Sequence, residues 1–196
     1  MNALTTLAQS LGIAYASGIS LYATVALLGI GDRLGWIGPL PGALGGVTHP
    51  LVIGVASALA VVEFLATLVP GVATAWETVH TAIRPPAAAA LAVLTAWQGS
   101  NELVIAAALL GGGIGLSTHA TKLGLRAAID TSPEPVTNGA ANVAELGVVA
   151  SLAFAVWHHP WLSLTAALVL LVALAILVRA VWRSIRRAGG ALLGRG

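Results

Sequence analysis

Long apolar segments, separated by short polar or proline-containing stretches, occupy most of the chain. They cover approximately residues 7–30, 51–69 and 87–97, a stretch beginning at Glu102, 139–157 and 161–178. A helix of about 20 apolar residues is long enough to cross a bilayer. We therefore predict an all-α, polytopic membrane protein with about six transmembrane helices.

The composition supports this class. Hydrophobic residues make up 58% of the 196 residues and charged residues 8%, with a mean hydropathy of +0.93, whereas ordinary soluble domains carry about 25% charged residues. The absence of cysteine excludes disulfides, thiol chemistry and thiolate metal sites. The first residues lack a basic region followed by a cleavage site, so we expect no removable signal peptide.

The placement of charged and aromatic residues indicates a topology. If both termini are cytoplasmic, eight of the nine Lys and Arg residues lie on the cytoplasmic side and only Arg33 lies outside, as the positive-inside tendency requires. All six Trp residues lie near predicted segment ends, where indole rings favour the headgroup region. Residues 72–84 have amphipathic spacing, and we expect a short interfacial helix that ends at Pro85-Pro86.

A seven-residue phrase occurs twice. Residues 18–24 read GISLYAT and residues 115–121 read GLSTHAT. The copies begin three predicted spans apart, so they would cross the bilayer in opposite directions. We predict an inverted-topology repeat, with residues 1–98 and 99–188 as two three-helix units and 189–196 as a basic, disordered tail. Alternatively, the small residues of the phrase only pack helices together.

In the repeat interpretation the phrase marks a binding site. Helices broken at Gly18 and Gly115 would expose their ends at membrane depth, as in many secondary transporters. Four hydroxyl groups would face a substrate there: those of Ser20, Thr24, Ser117 and Thr121.

Two acidic residues, Glu63 and Glu145, lie inside apolar segments, each after its copy of the phrase. A carboxylate at the centre of a membrane helix costs roughly 2.5–3.5 kcal/mol on insertion scales, so it is rarely kept on a lipid-facing surface. We predict that both acids, with His119, line an internal cavity and bind protons or a cation. Alternatively, each Glu is protonated or bonded to a Ser, Thr or backbone partner and serves helix packing alone.

Several polar residues are expected at a cytoplasmic mouth. His119, Lys122 and Arg126 share one helical face, which would form a proton relay or an anion-attracting wall, although the two cations alternatively snorkel to the interface. The proline turn 132–135 would present an acid to them. The predicted mouth residues are His80, Arg84, Lys122, Arg126, Glu134 and Asn138. We predict no metal site, because the side chains of the adjacent pair His158-His159 point apart on a helix.

The sequence resembles the bacterial membrane family known as domain of unknown function 4126. The resemblance covers nearly the whole chain up to the sixth segment. It rests on residues 119–122, Arg126, 132–135, Asn138 and Glu145, and on 18–20, 63–64, 76–77, 80–81 and 84–85. An Asp-Lys pair is typical of the family where this chain has Thr67-Leu68. The resemblance implies a multi-pass protein of the bacterial inner (cytoplasmic) membrane.

These patterns favour one function and leave two others open, of which the least favoured is an intramembrane or lipid-modifying enzyme near Glu134 and Arg126, since no nucleophile–base pair is visible. The first is a small secondary transporter or channel-like carrier, working as a homo-oligomer on a small ion or a small, anionic solute, with proton coupling. The second is a non-transporting scaffold that packs other membrane proteins or lipids. No enzyme motif, cofactor motif or nucleic-acid-binding patch is present, so we expect a non-enzyme whose partners are membrane lipid and a solute.

Overall fold

The computed structural model describes residues 2–129 and 135–169, together with positions 172, 173, 176, 179 and 183. The described residues form helices and no strand, which confirms the all-α prediction for that part of the chain. The elements are α1 (Ala3–Ile19), α2 (Leu21–Arg33), a short 3-10 helix (Leu44–Thr48), α3 (Pro50–Ala66), α4 (Pro70–Ala96), α5 (Asn101–Ile129), α6 (Pro135–His158) and α7 (Pro160–Val169). The predicted tail, Glu134 and Trp182 lie outside the described residues.

The first apolar segment is a helical hairpin and not the single span that we predicted. Ser20 is extended (φ −145°, ψ 106°) between α1 and α2. Ala16 of α1 and Ala23 of α2 belong to one buried cluster with Val149 of α6, so the two helices meet at that level. Ala3 and the loop 39–42 line one cavity. Both outer ends of the hairpin therefore lie at the same end of the molecule.

The two copies of the phrase lie side by side and run in the same direction. A Cβ built on Gly18 would be 2.7 Å from the carbonyl oxygen of Gly115, and four residues earlier the carbonyl oxygen of Ala14 also faces Gly115. Near the start of both helices, Ala3 and Leu103 line a shared cavity. Because α1 and α5 are parallel, these segments do not have the inverted relation that we predicted.

The prediction of a broken helix at Gly115 is wrong, since α5 is continuous from Asn101 to Ile129. Its glycines allow close packing against α4: a Cβ on Gly115 would meet Ala88, and one on Gly111 would meet Ala92. The alternative interpretation of the phrase, in which small residues pack helices together, therefore describes the second copy.

The predicted interfacial helix that stops at Pro85-Pro86 is also wrong. Both prolines lie inside α4, which continues to Ala96 and includes the predicted third segment. Proline in a helix interior removes a backbone hydrogen bond and is disfavoured locally. The antiparallel contact with α5 on both sides of the prolines outweighs that cost, because α4 packs on α5 through its alanines and through Arg84.

The ends of the helices form a loop end and an opposite, cluster end. We define the loop end by residues 34–49, 97–100 and 159. Trp36 and Trp97 are 61% and 60% exposed there, and Trp161 is also exposed. Trp157 lies at the same end, since a Cβ built on Gly38 would be 3.5 Å from its ring. Four of the six Trp residues thus form a girdle at the loop end.

The outer surface of the bundle is largely apolar. Exposed side chains include those of Val61, Leu65, Leu109 and Phe154, with Leu109 73% exposed. Two helices are long and apolar enough to cross a membrane, Asn101–Ala127 and Val136–His158, and two further apolar helices are shorter over the described residues. Charged side chains, among them those of Glu63, Arg84 and Lys122, lie inside this apolar shell.

Candidate functional site

Seven ionisable side chains meet where α3, α4, α5 and α6 surround the α1–α2 turn. We call this group the charge cluster, and its members are Glu63, Glu77, Arg84, His119, Lys122, Arg126 and Glu145. Six members are at most 4% exposed, and only the side chain of Glu145 is partly exposed, at 23%. Three carboxylates face two guanidinium groups and one ammonium group, so the cluster is neutral when all six are ionised and His119 is neutral.

Lys122 is the centre of the charge cluster. Its Nζ lies 2.9 Å from Glu77 Oε1, 3.0 Å from Glu145 Oε2 and 3.2 Å from Glu63 Oε1. It also donates a hydrogen bond of 2.9 Å to the carbonyl oxygen of Ile19. One ammonium group therefore joins carboxylates from α3, α4 and α6 to the end of α1.

Arg84 pairs with two of the same acids and determines which ring nitrogen of His119 carries the proton. Its guanidinium group donates to Glu63, and at 2.6 Å to Glu77 Oε2. It also donates to His119 Nδ1 at 2.9 Å. Since arginine has no acceptor, Nδ1 must accept and the ring proton lies on Nε2, which is 2.9 Å from Thr81 Oγ1. The network thus assigns His119 as the neutral Nε2–H tautomer.

The charge cluster also stabilises the break between α1 and α2. The Lys122 ammonium satisfies a carbonyl at the negative C-terminal end of α1, and the Ser20 hydroxyl donates to Glu63 Oε2 at 2.8 Å beside the positive N-terminal end of α2. Both charges match the sign of the nearby helix dipole. The second copy of the phrase has no such partners for a break, and its hydroxyls bond within α5.

Arg126 extends the charge cluster to the C-terminal end of α3. Its Nε donates to Glu145 Oε1 at 3.1 Å, and its guanidinium group also binds the Oδ1 atom of Asn142. The amide of Asn142 donates to the carbonyl oxygen of Phe64 at 2.9 Å. Thr67 Oγ1 donates to Asn142 Oδ1 at 3.1 Å. These contacts satisfy carbonyl and hydroxyl groups where α3 ends, away from bulk water.

Many of the fifteen predicted site residues lie together in the structure. Seven of them take part in the network, namely Ser20, Glu63, Arg84, His119, Lys122, Arg126 and Glu145. Gly18 and Gly115 are packing positions beside it. The hydroxyls of Thr24, Ser117 and Thr121 donate to the carbonyl four residues earlier in their own helices, so they already have acceptors.

The remaining predicted mouth residues lie apart from the ion pairs. His80 stacks on Trp76, with ring centroids 4.4 Å apart, and its Nε2 is 3.1 Å from the Tyr22 hydroxyl. Asn138 is fully buried near the end of α3, where its amide is 3.5 Å from the Leu68 carbonyl oxygen. Glu134 lies outside the described residues, and Glu145 instead pairs with Lys122 and Arg126.

Sequence reasoning missed Glu77 and Asn142 as members of the site. The signal for Glu77 was its spacing of seven residues from Arg84, which places both on one helical face. That face is buried only because α4 continues through its prolines. Asn142 lies three residues before Glu145, and that spacing indicated a shared face of α6.

Two cavities adjoin the charge cluster. A small one of about 20 Å³ is lined by Ser20, Glu63, Thr67, Asn142 and Glu145, among others, and has room for about one water. A larger groove of about 330 Å³ lies between α1, α5 and α6, with Lys122 and Glu145 in its lining. Over the described chain, no three His, Asp or Glu side chains are grouped so as to hold a metal ion.

Replacing Ser20 by alanine is expected to destabilise the hairpin. The substitution removes the 2.8 Å hydrogen bond to the buried Glu63 carboxylate, and a hydrogen bond to a charged group contributes about 1.5–3 kcal/mol. Unfolding in detergent, followed by circular dichroism, measures the loss. Thr78→Ala is the control, because the Thr78 hydroxyl is exposed and bonds only to its own helix. Equal stability of the two variants contradicts the role assigned to Ser20.

Comparison with known proteins agrees with the resemblance noted in the sequence. No curated protein and no solved structure matches the chain. The family described as Domain of unknown function (DUF4126) matches residues 7–180, a range that contains the whole charge cluster, both copies of the phrase and the α1–α2 turn. The chain therefore belongs to this family.

Proposed function

We propose that the protein is a small secondary transporter or channel-like carrier of the bacterial inner membrane, in which the charge cluster couples solute movement to protons. The observation that carries this proposal is the convergence of Glu63, Glu77 and Glu145 on the single ammonium of Lys122, beside a break in a buried helix. Ionisable groups inside an apolar helix bundle are costly, and they mark ion and proton pathways in membrane proteins.

The membrane placement is part of the proposal. Its support is the apolar outer surface, the tryptophan girdle at the loop end and the two long apolar helices. A soluble monomer rarely exposes a large contiguous apolar patch. In this arrangement α3 to α6 and the apolar segment 161–178 cross the bilayer, and the α1–α2 hairpin enters from the loop end and returns to it. Non-helical backbone is tolerated at such depth only where protein covers it, as the charge cluster covers residues 19–20.

The orientation follows from the basic residues. Lys122 and Arg126 lie at the cluster end, and the Arg-rich segment 179–195 follows α7 in the sequence. The positive-inside tendency places the cluster end on the cytoplasmic side. The start of α1 is then outside, the reverse of the expectation that both termini are cytoplasmic.

Charge balance gives the coupling a physical basis. Three acids and three bases neutralise one another inside the bundle, and any unpaired charge left there is strongly unfavourable. A bound anion is therefore compensated by uptake of one proton on a glutamate, and a bound cation by release of one proton from the Lys122 ammonium. Glu145 is the glutamate best placed to take up a proton, because it alone in the charge cluster is partly exposed. The 20 Å³ cavity lies between it and Glu63.

The test is solute uptake into proteoliposomes with and without a pH gradient. A panel of small anions and cations is compared for the wild type, Glu63→Gln and Glu145→Gln. We expect the pH gradient to drive uptake of one solute in the wild type, and we expect each variant to lose most of that stimulation. Glu102→Gln is the matched control, because Glu102 lies exposed at the start of α5. Equal flux in the wild type and both cluster variants contradicts the coupling role.

A scaffold function remains the second candidate, and one observation favours it. Gly147, Ser151 and Ala155 form a stripe of small residues along α6, and they line a shallow groove against α7. Such a stripe is typical of helix–helix association in membranes, so we place the proposed homo-oligomer contact there. Gly147→Leu is expected to break the oligomer, as measured by cross-linking. If it does so while wild-type liposomes transport none of the solutes, the scaffold function is preferred.

A further inference from the structure

The groove between α1, α5 and α6 is open to the outside and almost entirely apolar. Its volume is about 330 Å³, within the range of small-molecule sites. Leu125 and Val148, which line it, are 62% and 47% exposed, so the groove faces the outer surface of the bundle. The hydroxyls of Thr118 and Thr121 in its lining already donate to their own helix.

The charged group that the groove exposes most to a ligand is a carboxylate. Glu145 is the partly exposed member of the charge cluster, and each of its carboxylate oxygens accepts one hydrogen bond, from Lys122 or Arg126. A carboxylate oxygen can accept two, so accepting capacity remains. The Lys122 ammonium, in contrast, is 4% exposed and already has four oxygen atoms within 3.2 Å. An anion in the groove would therefore meet Glu145 without gaining a free cation.

The other lining residues select the kind of cation. Tyr15 contributes a half-buried aromatic ring to the groove, and aromatic faces attract ammonium groups that carry little hydration. Leu125, Ile129 and Val148 give the ligand apolar contacts but no oxygen ligands. A strongly hydrated metal ion gains little from such walls, whereas an organic cation buries its apolar part against them.

We propose that this groove binds a hydrophobic organic cation, with its positive group at Glu145 and Tyr15 and its apolar part along α5 and α6. That the carrier transports such a cation rests on the proposed function. That the groove binds the cation is tested without a transport measurement.

The experiment measures equilibrium binding of radiolabelled benzyltrimethylammonium to the full chain in detergent. Two matched competitors test the role of charge: neopentylbenzene, its neutral isostere, and benzylsulfonate, an anion. We expect unlabelled cation to compete and the anion not to compete, with the neutral isostere at least about tenfold weaker, as expected when one partly buried ion pair is lost. Equal competition by the neutral compound means that the groove takes any apolar guest, an acyl chain included, and overturns the proposal.

Variants locate the site. Glu145→Gln is expected to weaken binding about tenfold or more, and Glu102→Gln to leave it unchanged. Tyr15→Leu is expected to weaken binding about threefold, while Tyr15→Phe, which keeps the ring, binds as the wild type does. Unchanged binding in Glu145→Gln overturns the assignment.

A second variant keeps the test valid if Glu145→Gln fails to fold. Ala144 is exposed and lines the groove, so Ala144→Phe fills it without changing any charge, and Ala144→Ser is its control. We expect Ala144→Phe to abolish binding at an unchanged melting temperature. If Ala144→Phe still binds the cation, the cation binds elsewhere and the proposal is overturned.

The two proposals fail in different ways. Cation binding without any flux rejects the transport function alone, and flux of another solute without cation binding rejects the groove alone.

Discussion

Arg84→Met is expected to lower the free energy of unfolding by about 3–5 kcal/mol, the usual result of removing one partner from a buried ion pair. Arg84 is fully buried and pairs with both Glu63 and Glu77. Because methionine keeps most of the side-chain volume, the loss of stability measures the missing charge and not a new cavity. Chemical unfolding in detergent, followed by far-ultraviolet circular dichroism, measures it.

A double variant separates charge from packing. Arg84→Met combined with Glu77→Met removes a whole pair, and it is expected to be clearly more stable than Arg84→Met alone, because buried ion pairs are often replaceable by apolar residues. Arg33→Met is the control for loss of a guanidinium group, since Arg33 lies exposed at the end of α2. If the double variant is no more stable than Arg84→Met, Arg84 stabilises the protein through its packing and not through its charge.

Gly115→Ala is expected to destabilise the protein by about 1–3 kcal/mol, the usual cost of forcing extra atoms into a packed core. The added methyl group would collide with the Cβ of Ala88, an atom that no side-chain rotation can move. The helices α4 and α5 must then separate, although alanine favours the helix more than glycine does. The same unfolding measurement applies.

Gly113→Ala is a matched control two residues away on α5. A Cβ at Gly113 meets no atom within 4 Å, so the substitution is expected to raise stability by about 0.5–1 kcal/mol through helix propensity alone. Opposite signs for the two variants support the close approach of α4 and α5. The same sign for both would contradict it.

The residues of the site were easier to predict from the sequence than their arrangement in space. Glu63, His119 and Glu145 were identified because ionisable residues in apolar segments need partners inside a bundle, and they lie in one cluster. The two phrases also lie in contact, with Gly18 against Gly115. Reasoning from burial cost and from small residues therefore identified positions that meet in three dimensions.

The difference between the two copies was not predictable from local sequence. Both contain Gly, Ser, Ala and Thr at equal spacing, yet only the first breaks. The break depends on Lys122 and Glu63, which come from other helices and bind the freed groups. The same holds for Pro85-Pro86, where a local rule predicts a helix end but contacts with α5 prevail. Glu77 was missed for this reason.

The hydrogen bond from Lys122 to the Ile19 carbonyl links the shape of the hairpin to the ionisation of the acids around that ammonium. Such linkage is reciprocal: a rearrangement of the turn that weakens this bond alters the proton affinity of the three glutamates, and adding a proton to them alters the energy of the turn by the same amount. The conformation of the hairpin and the protonation of the acids are therefore two coupled equilibria, and a shift in either one shifts the other.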